Sequence, residues 1–207
     1  MSDVSGQAEV SAWGGGGSPF AIASKKLGMW LFLVSDTLTF TALLLAYSYV
    51  RVATPDWPRP FGWHSILLAS VMTFCLLSSS LTMVLAVLAA KRQERKRTVG
   101  WILATILGGL IFMVLHTNEW LGLIHEGITP FSSPFGVPLF GASFFTLTGL
   151  HMTHVTGGVI YLGIIAWGFG KGKFSDEDVE ISGLYWHFVD LVWMFIFPMV
   201  YLLSATT

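Results

Sequence analysis

The stretch SFFTLTGLHMTHVTGGVIYL, residues 143–162, is apolar and long enough to cross a bilayer as a helix, yet it carries two histidines near its middle. His151 and His154 are three residues apart, so a helix places both on one face. Lipid offers an imidazole no hydrogen-bond partner, and this face is therefore expected to point at another helix. The stretch predicts one helix of a membrane bundle, with a polar contact at about mid-depth.

The rest of the chain has the composition of a membrane protein. Of its 207 residues, 54% are hydrophobic and 11% are charged, whereas soluble domains carry about 25% charged residues. Five apolar runs reach the roughly 20 residues that a membrane helix needs, and none alternates with the period of a barrel strand. The predicted fold class is an all-α integral membrane protein, a bundle of five transmembrane helices at about 27–50, 65–90, 99–124, 139–170 and 181–204.

Small residues and connectors add detail to this bundle. The serines at 78–80 and the Thr-Gly-Gly at 156–158 predict close helix packing. Residues 1–24 are small and polar and predict a flexible N-terminal segment, which leaves 25–207 as the membrane domain. The chain start lacks the basic and apolar regions of a signal peptide.

The distribution of basic residues predicts the orientation. Nine of the eleven Lys and Arg fall on one side of the predicted bundle, and only Arg51 and Arg59 fall on the other. The positive-inside rule then places the N-terminus in the cytoplasm and the C-terminus outside. The KRQERKR turn at 91–97 is interpreted as a topology signal, with contact to anionic lipid as an added hypothesis. The lipid-headgroup candidates are Lys25, Arg92 and Lys171.

Several function classes are disfavoured. A net charge of −1 gives no indication of nucleic-acid binding. The single cysteine, Cys75, cannot form an internal disulfide. The chain shows no internal repeat, which argues against a transporter built from inverted halves.

Ionisable residues inside the predicted helices are the main functional signal, because each costs about 2.5–3.5 kcal/mol to insert into a membrane. Asp36 and Asp190 each lie about nine residues into a helix that enters from the cytoplasm, and His154 lies near the middle of the fourth helix. These three are expected to occupy one layer. His187 is one turn from Asp190 on the same face, and His151 completes a predicted buried, proton-linked set.

Three interpretations of this set are open. Internal pairing can hold the helices in register, or a buried carboxylate can have a functional role, or histidines can bind a metal or haem. A catalytic metal site needs at least three protein ligands, and only His151, His154 and His187 are candidates. We therefore predict no metal site and no catalytic residue in this chain.

Two further polar groups lie near helix ends. His116, Glu119, His125 and Glu126 are expected to form a wetted end of the third helix, next to an interfacial Trp120. The acidic turn at 175–180 is interpreted as the N-terminal cap of the fifth helix, where carboxylates are favourable. The alternative interpretation of this turn is a proton-collecting surface.

Three motifs indicate a family. GMWLFLVSD at 28–36, SFFTLTGLHMTHV at 143–155 and YWHFVDLVW at 185–193, continuing to Tyr201, resemble motifs of the cytochrome c and quinol oxidase subunit III family in its five-helix form. The last two motifs are long and specific, and the resemblance extends over residues 27–203. Asp36 stands where the family usually has Glu, and Glu119 matches a second family carboxylate.

This resemblance implies a haem–copper terminal oxidase in an aerobic respiratory membrane, the cytoplasmic membrane of a bacterium. It implies a subunit without a redox centre, with haem and copper in partner subunits. Such a subunit packs beside the catalytic subunit I, binds phospholipid, supports proton uptake and turnover stability, and can join a wider respiratory supercomplex. The alternatives are a relative that serves nitric oxide reductase and a stand-alone proton-coupled transporter that uses Asp36 and Asp190.

Overall fold

The computed structural model describes residues 24–205 as five long helices joined by short connections. All five are long and apolar enough to cross a membrane, which confirms the predicted fold class. The predicted N-terminal segment lies outside the described residues, apart from Ser24. The helices are α1 (Ser24–Ala53), α2 (Trp63–Lys91), α3 (Arg95–His125), α4 (Pro138–Gly170) and α5 (Asp176–Ile196).

The fifth predicted span, 181–204, is not one regular helix. After α5 the chain passes through a π-helical turn, Phe197–Tyr201, and a 3-10 turn, Leu202–Ser204. Pro198 contributes no backbone N–H, so the α-helical ladder cannot continue through it unchanged. The π-helical turn alters the direction in which Tyr201 points, and this residue belongs to the site described below.

Because successive helices run in opposite directions, the bundle has two ends. We call the end that holds Lys25, Lys91 and Asp178 the basic end, where three ion pairs join α5 to α1 and α2. Lys25 lies 3.0 Å from Asp178, and Glu180 bridges Lys26 at 2.5 Å and Lys91 at 3.0 Å. These partly exposed pairs align three helices but each contributes only about 0–1 kcal/mol.

The acidic turn caps α5, as predicted. The backbone N–H of Ser175 donates to the Asp178 carboxylate at 2.9 Å, and the Asp178 backbone N–H donates to the Ser175 hydroxyl. This reciprocal arrangement satisfies two backbone donors that a helix start leaves free. The opposite end of the bundle, which we call the loop end, holds the connections at 54–62 and 126–137.

Small residues allow the central helices to approach Trp186 of α5 closely. The Trp186 indole N–H donates to the Ser79 hydroxyl of α2 at 3.0 Å, and the ring fills space left by Gly109 of α3 and Gly158 of α4. A Cβ atom on Gly109 would lie 2.6 Å from the ring. The predicted role of the 78–80 and 156–158 segments in close packing is confirmed at Ser79 and Gly158.

Helix α1 lies at the periphery, packed on α4 and α5. Within α1, which the structure describes in full, the buried residues are Leu33, Phe40 and Tyr47, one every seven positions. This narrow stripe leaves most of the apolar surface of α1 facing outward.

The environment of Gly109 generates a test of the packing. We expect Gly109→Ala to lower the free energy of unfolding by about 1–3 kcal/mol, because the added methyl group overlaps Trp186. Gly100→Ala is the matched control on the same helix, since nothing lies within 4 Å of its Cβ position, and alanine there favours the helix by up to about 1 kcal/mol. Unfolding in mixed micelles with increasing SDS measures both, and equal stability would contradict this packing.

Candidate functional site

Three groups of polar side chains inside the bundle contain ionisable residues. They are the α1–α4 pair, made of Asp36 and His154; the α2–α5 pair, made of Ser80 and His187; and the loop-end cluster, made of His116, Glu119, His151, Trp193 and Tyr201.

The α1–α4 pair brings a carboxyl and an imidazole together inside the bundle. His154 Nε2 lies 2.7 Å from Asp36 Oδ2, and both side chains are at least 85% buried. His154 Nδ1 lies 2.8 Å from the Leu150 carbonyl oxygen, which can only accept, so this nitrogen carries a hydrogen. The imidazole therefore lies against the carboxyl, which is how a buried ionisable group avoids an uncompensated charge.

The surroundings of His154 fix its position. Phe40 of α1 meets the imidazole edge-on, with ring centroids 5.2 Å apart, and the Tyr185 hydroxyl of α5 donates to the His154 backbone carbonyl at 2.9 Å. The contact between Asp36 and His154 thus links the peripheral helix α1 to α4, and the hydrogen bond from Tyr185 links α5 to α4.

The α2–α5 pair is smaller and lies in the same part of α5 as Asp190. Ser80 Oγ lies 2.9 Å from His187 Nδ1, and Asp190 follows His187 by three residues on α5. Asp190 is buried, and its Oδ1 has no hydrogen-bond partner among the described residues. The structure therefore joins two members of the expected layer, Asp36 and His154, and places Asp190 beside Ser80 and His187.

The loop-end cluster joins α3, α4 and the π-helical turn. The Tyr201 hydroxyl donates to Glu119 Oε2 at 2.8 Å, and His116 Nδ1 lies 3.7 Å from the same oxygen. The Trp193 ring stacks on His151 at 5.2 Å and meets His116 edge-on at 5.4 Å. His116 and His151 have no exposed surface.

The expectation of a wetted helix end is therefore wrong for two of its four residues. His125 and Glu126 are exposed, but His116 is fully buried and Glu119 is 7% exposed. The signal was the spacing along α3, because His116 and Glu119 continue a buried stripe at intervals of three or four residues. His125 falls off this spacing, and Glu126, which keeps it, lies just beyond the end of the helix. The stripe is Ile102, Thr105, Gly109, Phe112, His116, Glu119 and Leu123.

The remaining candidates lie at the basic end. Arg92 is exposed, Lys25 is paired with Asp178, and the Lys171 ammonium lies 4.4 Å above the ring of Trp167. Within residues 24–205, no three His, Cys, Asp or Glu side chains form a group that could hold a metal ion.

Comparison with known proteins identifies the family. The family model described as cytochrome c oxidase subunit III matches residues 6–205. The chain belongs to the cytochrome c oxidase subunit III family. The resemblance of the three sequence motifs is thereby confirmed, and with it the prediction of a subunit III with five membrane helices.

Curated relatives of this subunit III chain carry two kinds of name. It is 33% identical to cytochrome c oxidase subunit 3 of Alkalihalophilus pseudofirmus, over 88% of both chains. It is 36% identical to quinol oxidase subunit 3 of Bacillus spizizenii, over 86% of both chains. It is 32% identical to cytochrome bo(3) ubiquinol oxidase subunit 3 of Pseudomonas aeruginosa, over 86% of this chain and 84% of the relative.

The α1–α4 pair of the subunit III chain generates a stability prediction. We expect His154→Leu to lower the free energy of unfolding by about 3–5 kcal/mol, because it leaves Asp36 buried without its partner. His64→Leu is the control, since His64 is exposed, and it should change stability by no more than about 0.5 kcal/mol.

A double variant separates the pair from general packing. Adding Asp36→Asn to His154→Leu should cost less than the sum of the two single changes, because the unpaired carboxylate is gone. Additive losses in a detergent unfolding assay would show that the two side chains do not interact.

Proposed function

We propose that this chain is subunit III of a haem–copper terminal oxidase in the cytoplasmic membrane of a bacterium. The observation that carries the proposal is the family match over residues 6–205. In this proposal the subunit holds neither haem nor copper and associates with the catalytic subunit I and other oxidase subunits. The names of the relatives support an oxidase that takes electrons from cytochrome c or from a quinol.

The orientation within the membrane belongs to the same proposal. The basic end faces the cytoplasm, because cytoplasmic connections are enriched in Lys and Arg. The N-terminus is then cytoplasmic and the C-terminus external. The outward apolar surface of α1 contacts lipid or a partner subunit, and the basic residues near the cytoplasmic surface contact phospholipid headgroups.

The contribution of the subunit is support for the catalytic partner. The α1–α4 pair can hold and exchange a proton near the middle of the bundle, and it also links a peripheral helix to the rest. A change in its protonation therefore affects both charge and helix docking. We propose that this coupling supports proton uptake by the complex and its stability during turnover.

Removal of the subunit tests the proposed function. An oxidase complex purified without this chain should reduce oxygen at first, with its haem and copper content unchanged, but lose activity faster over successive turnovers than the intact complex. The intact chain should co-purify with subunit I in mild detergent. A haem absorption band in the purified single chain would refute the proposal, as would normal durability of the complex without it.

Asp36 offers a more specific test. We expect Asp36→Asn to leave the complex assembled but to shorten its active lifetime, because an amide cannot replace an acid that shares a proton with His154. Asp36→Glu, which keeps the acid, is the matched control and should retain most of the lifetime. If the Asp36→Asn and wild-type complexes had equal active lifetimes at every pH, Asp36 would have no part in the proposed mechanism.

A further inference from the structure

The loop-end cluster contains a concentration of buried polar atoms that packing alone does not explain. Both ring nitrogens of His116 and of His151, together with Glu119 Oε1, have no hydrogen-bond partner among the described residues. Burying a polar group without a partner is unfavourable, and native proteins hold few such groups. Such a concentration of titratable groups suits a site that exchanges protons.

The charge balance around Glu119 determines which group takes the proton. The titratable side chains next to its carboxyl are His116 of the same helix and Tyr201 of the π-helical turn. His151 of α4 is joined to them through Trp193, which packs on both imidazoles. Within residues 24–205, every ion pair formed by a Lys or Arg lies at the basic end. A buried carboxylate without a cation is strongly disfavoured, so the carboxyl is expected to be protonated.

The π-helical turn places Tyr201 in contact with the Glu119 carboxyl. π-helical turns are rare and are frequently found at functional sites, and this one ends at Tyr201. The Tyr201 hydroxyl has no exposed surface and donates to Glu119 Oε2 at 2.8 Å. Because Oε2 accepts this hydrogen bond, Oε1 is the oxygen that is free to bind a proton.

Within the cluster, Glu119 lies toward the loop end of the bundle. Glu119 is six residues before the end of α3, or about 9 Å along the helix axis. Three residues after Tyr201, the Ser204 hydroxyl lies 3.2 Å from both the Tyr47 hydroxyl and the Trp57 indole nitrogen. Trp57 belongs to the 54–62 connection, so the chain segment that carries Tyr201 reaches the loop end.

We propose that the loop-end cluster is a proton-binding site in which Glu119 holds one exchangeable proton. Tyr201 is a positioning residue that fixes the carboxyl through its hydrogen bond to Oε2, and His116 is a neighbouring imidazole whose Nδ1 lies 3.7 Å from that oxygen. In the binding step, a hydronium ion from the loop end loses one O–H bond and becomes water while the Glu119 carboxylate gains an O–H bond at Oε1, and no group is oxidised or reduced. This site is distinct from the Asp36–His154 pair and does not depend on the proposed oxidase role.

Infrared difference spectroscopy of the purified complex tests the site directly. Subtracting the Glu119→Gln spectrum from that of wild type should reveal one C=O stretching band of a protonated carboxylic acid, and the band should shift in D2O. Glu126→Gln, at the exposed end of the same helix, is the matched control and should remove no such band. Glu119→Asp should restore a carboxylic-acid band at a changed frequency.

Tyr201→Phe tests the geometry without removing the acid. The band should persist and move to higher frequency, because the hydrogen bond to the carbonyl oxygen is lost. The proposal is overturned if Glu119→Gln removes no carboxylic-acid band, or if the wild-type band does not shift in D2O. Oxygen reduction by the same preparations tests the oxidase role separately, so failure of one proposal is distinguishable from failure of the other.

Discussion

Lipid cannot satisfy a polar side chain, and this constraint determines how the inside of the bundle is arranged. Asp36 meets His154, Ser80 meets His187, and Tyr201 meets Glu119, each across a helix boundary. Every such contact defines which faces of two helices touch. The apolar residues provide most of the contact surface, but van der Waals packing alone accommodates many rotations of one helix against another. The polar contacts reduce that freedom because a rotated helix would leave an ionisable group facing lipid.

The fold was largely predictable from the sequence because membrane-spanning length and hydrophobicity are local properties. All five predicted spans lie within the observed helical segments, and Ser79 and Gly158 mark close contacts as expected. The break after Ile196 was not predicted, since Pro198 indicates an interruption but not its geometry. The partners of buried groups were harder to predict. Depth along a helix places Asp36, His154 and Asp190 at similar levels, but the rotation of α5 decides that Asp190 lies beside Ser80.

The loop-end cluster shows where a simple interpretation of helix ends fails. Four polar residues near the end of α3 suggested contact with water, yet the helix buries one face as far as Leu123. His116 and Glu119 are on that face, His125 is not, and Glu126 follows the last residue of the helix. A buried stripe at intervals of three or four residues therefore predicts burial better than distance from the end of the helix. The hydroxyl that binds Glu119 belongs to Tyr201 in the π-helical turn, and the hydrophobic periodicity of the sequence does not indicate that turn.

Helix α1 is joined to the last part of the chain at both ends of the bundle. Its lysines pair with carboxylates of α5, and Arg51 donates to the Leu203 carbonyl oxygen. Tyr47 lies beside Ser204. Helix α1 is therefore synthesised well before α4 and α5, the helices against which it packs. During synthesis Asp36 has no partner in the bilayer until His154 of α4 has been inserted, so this interval is the stage of biogenesis at which α1 is least stable.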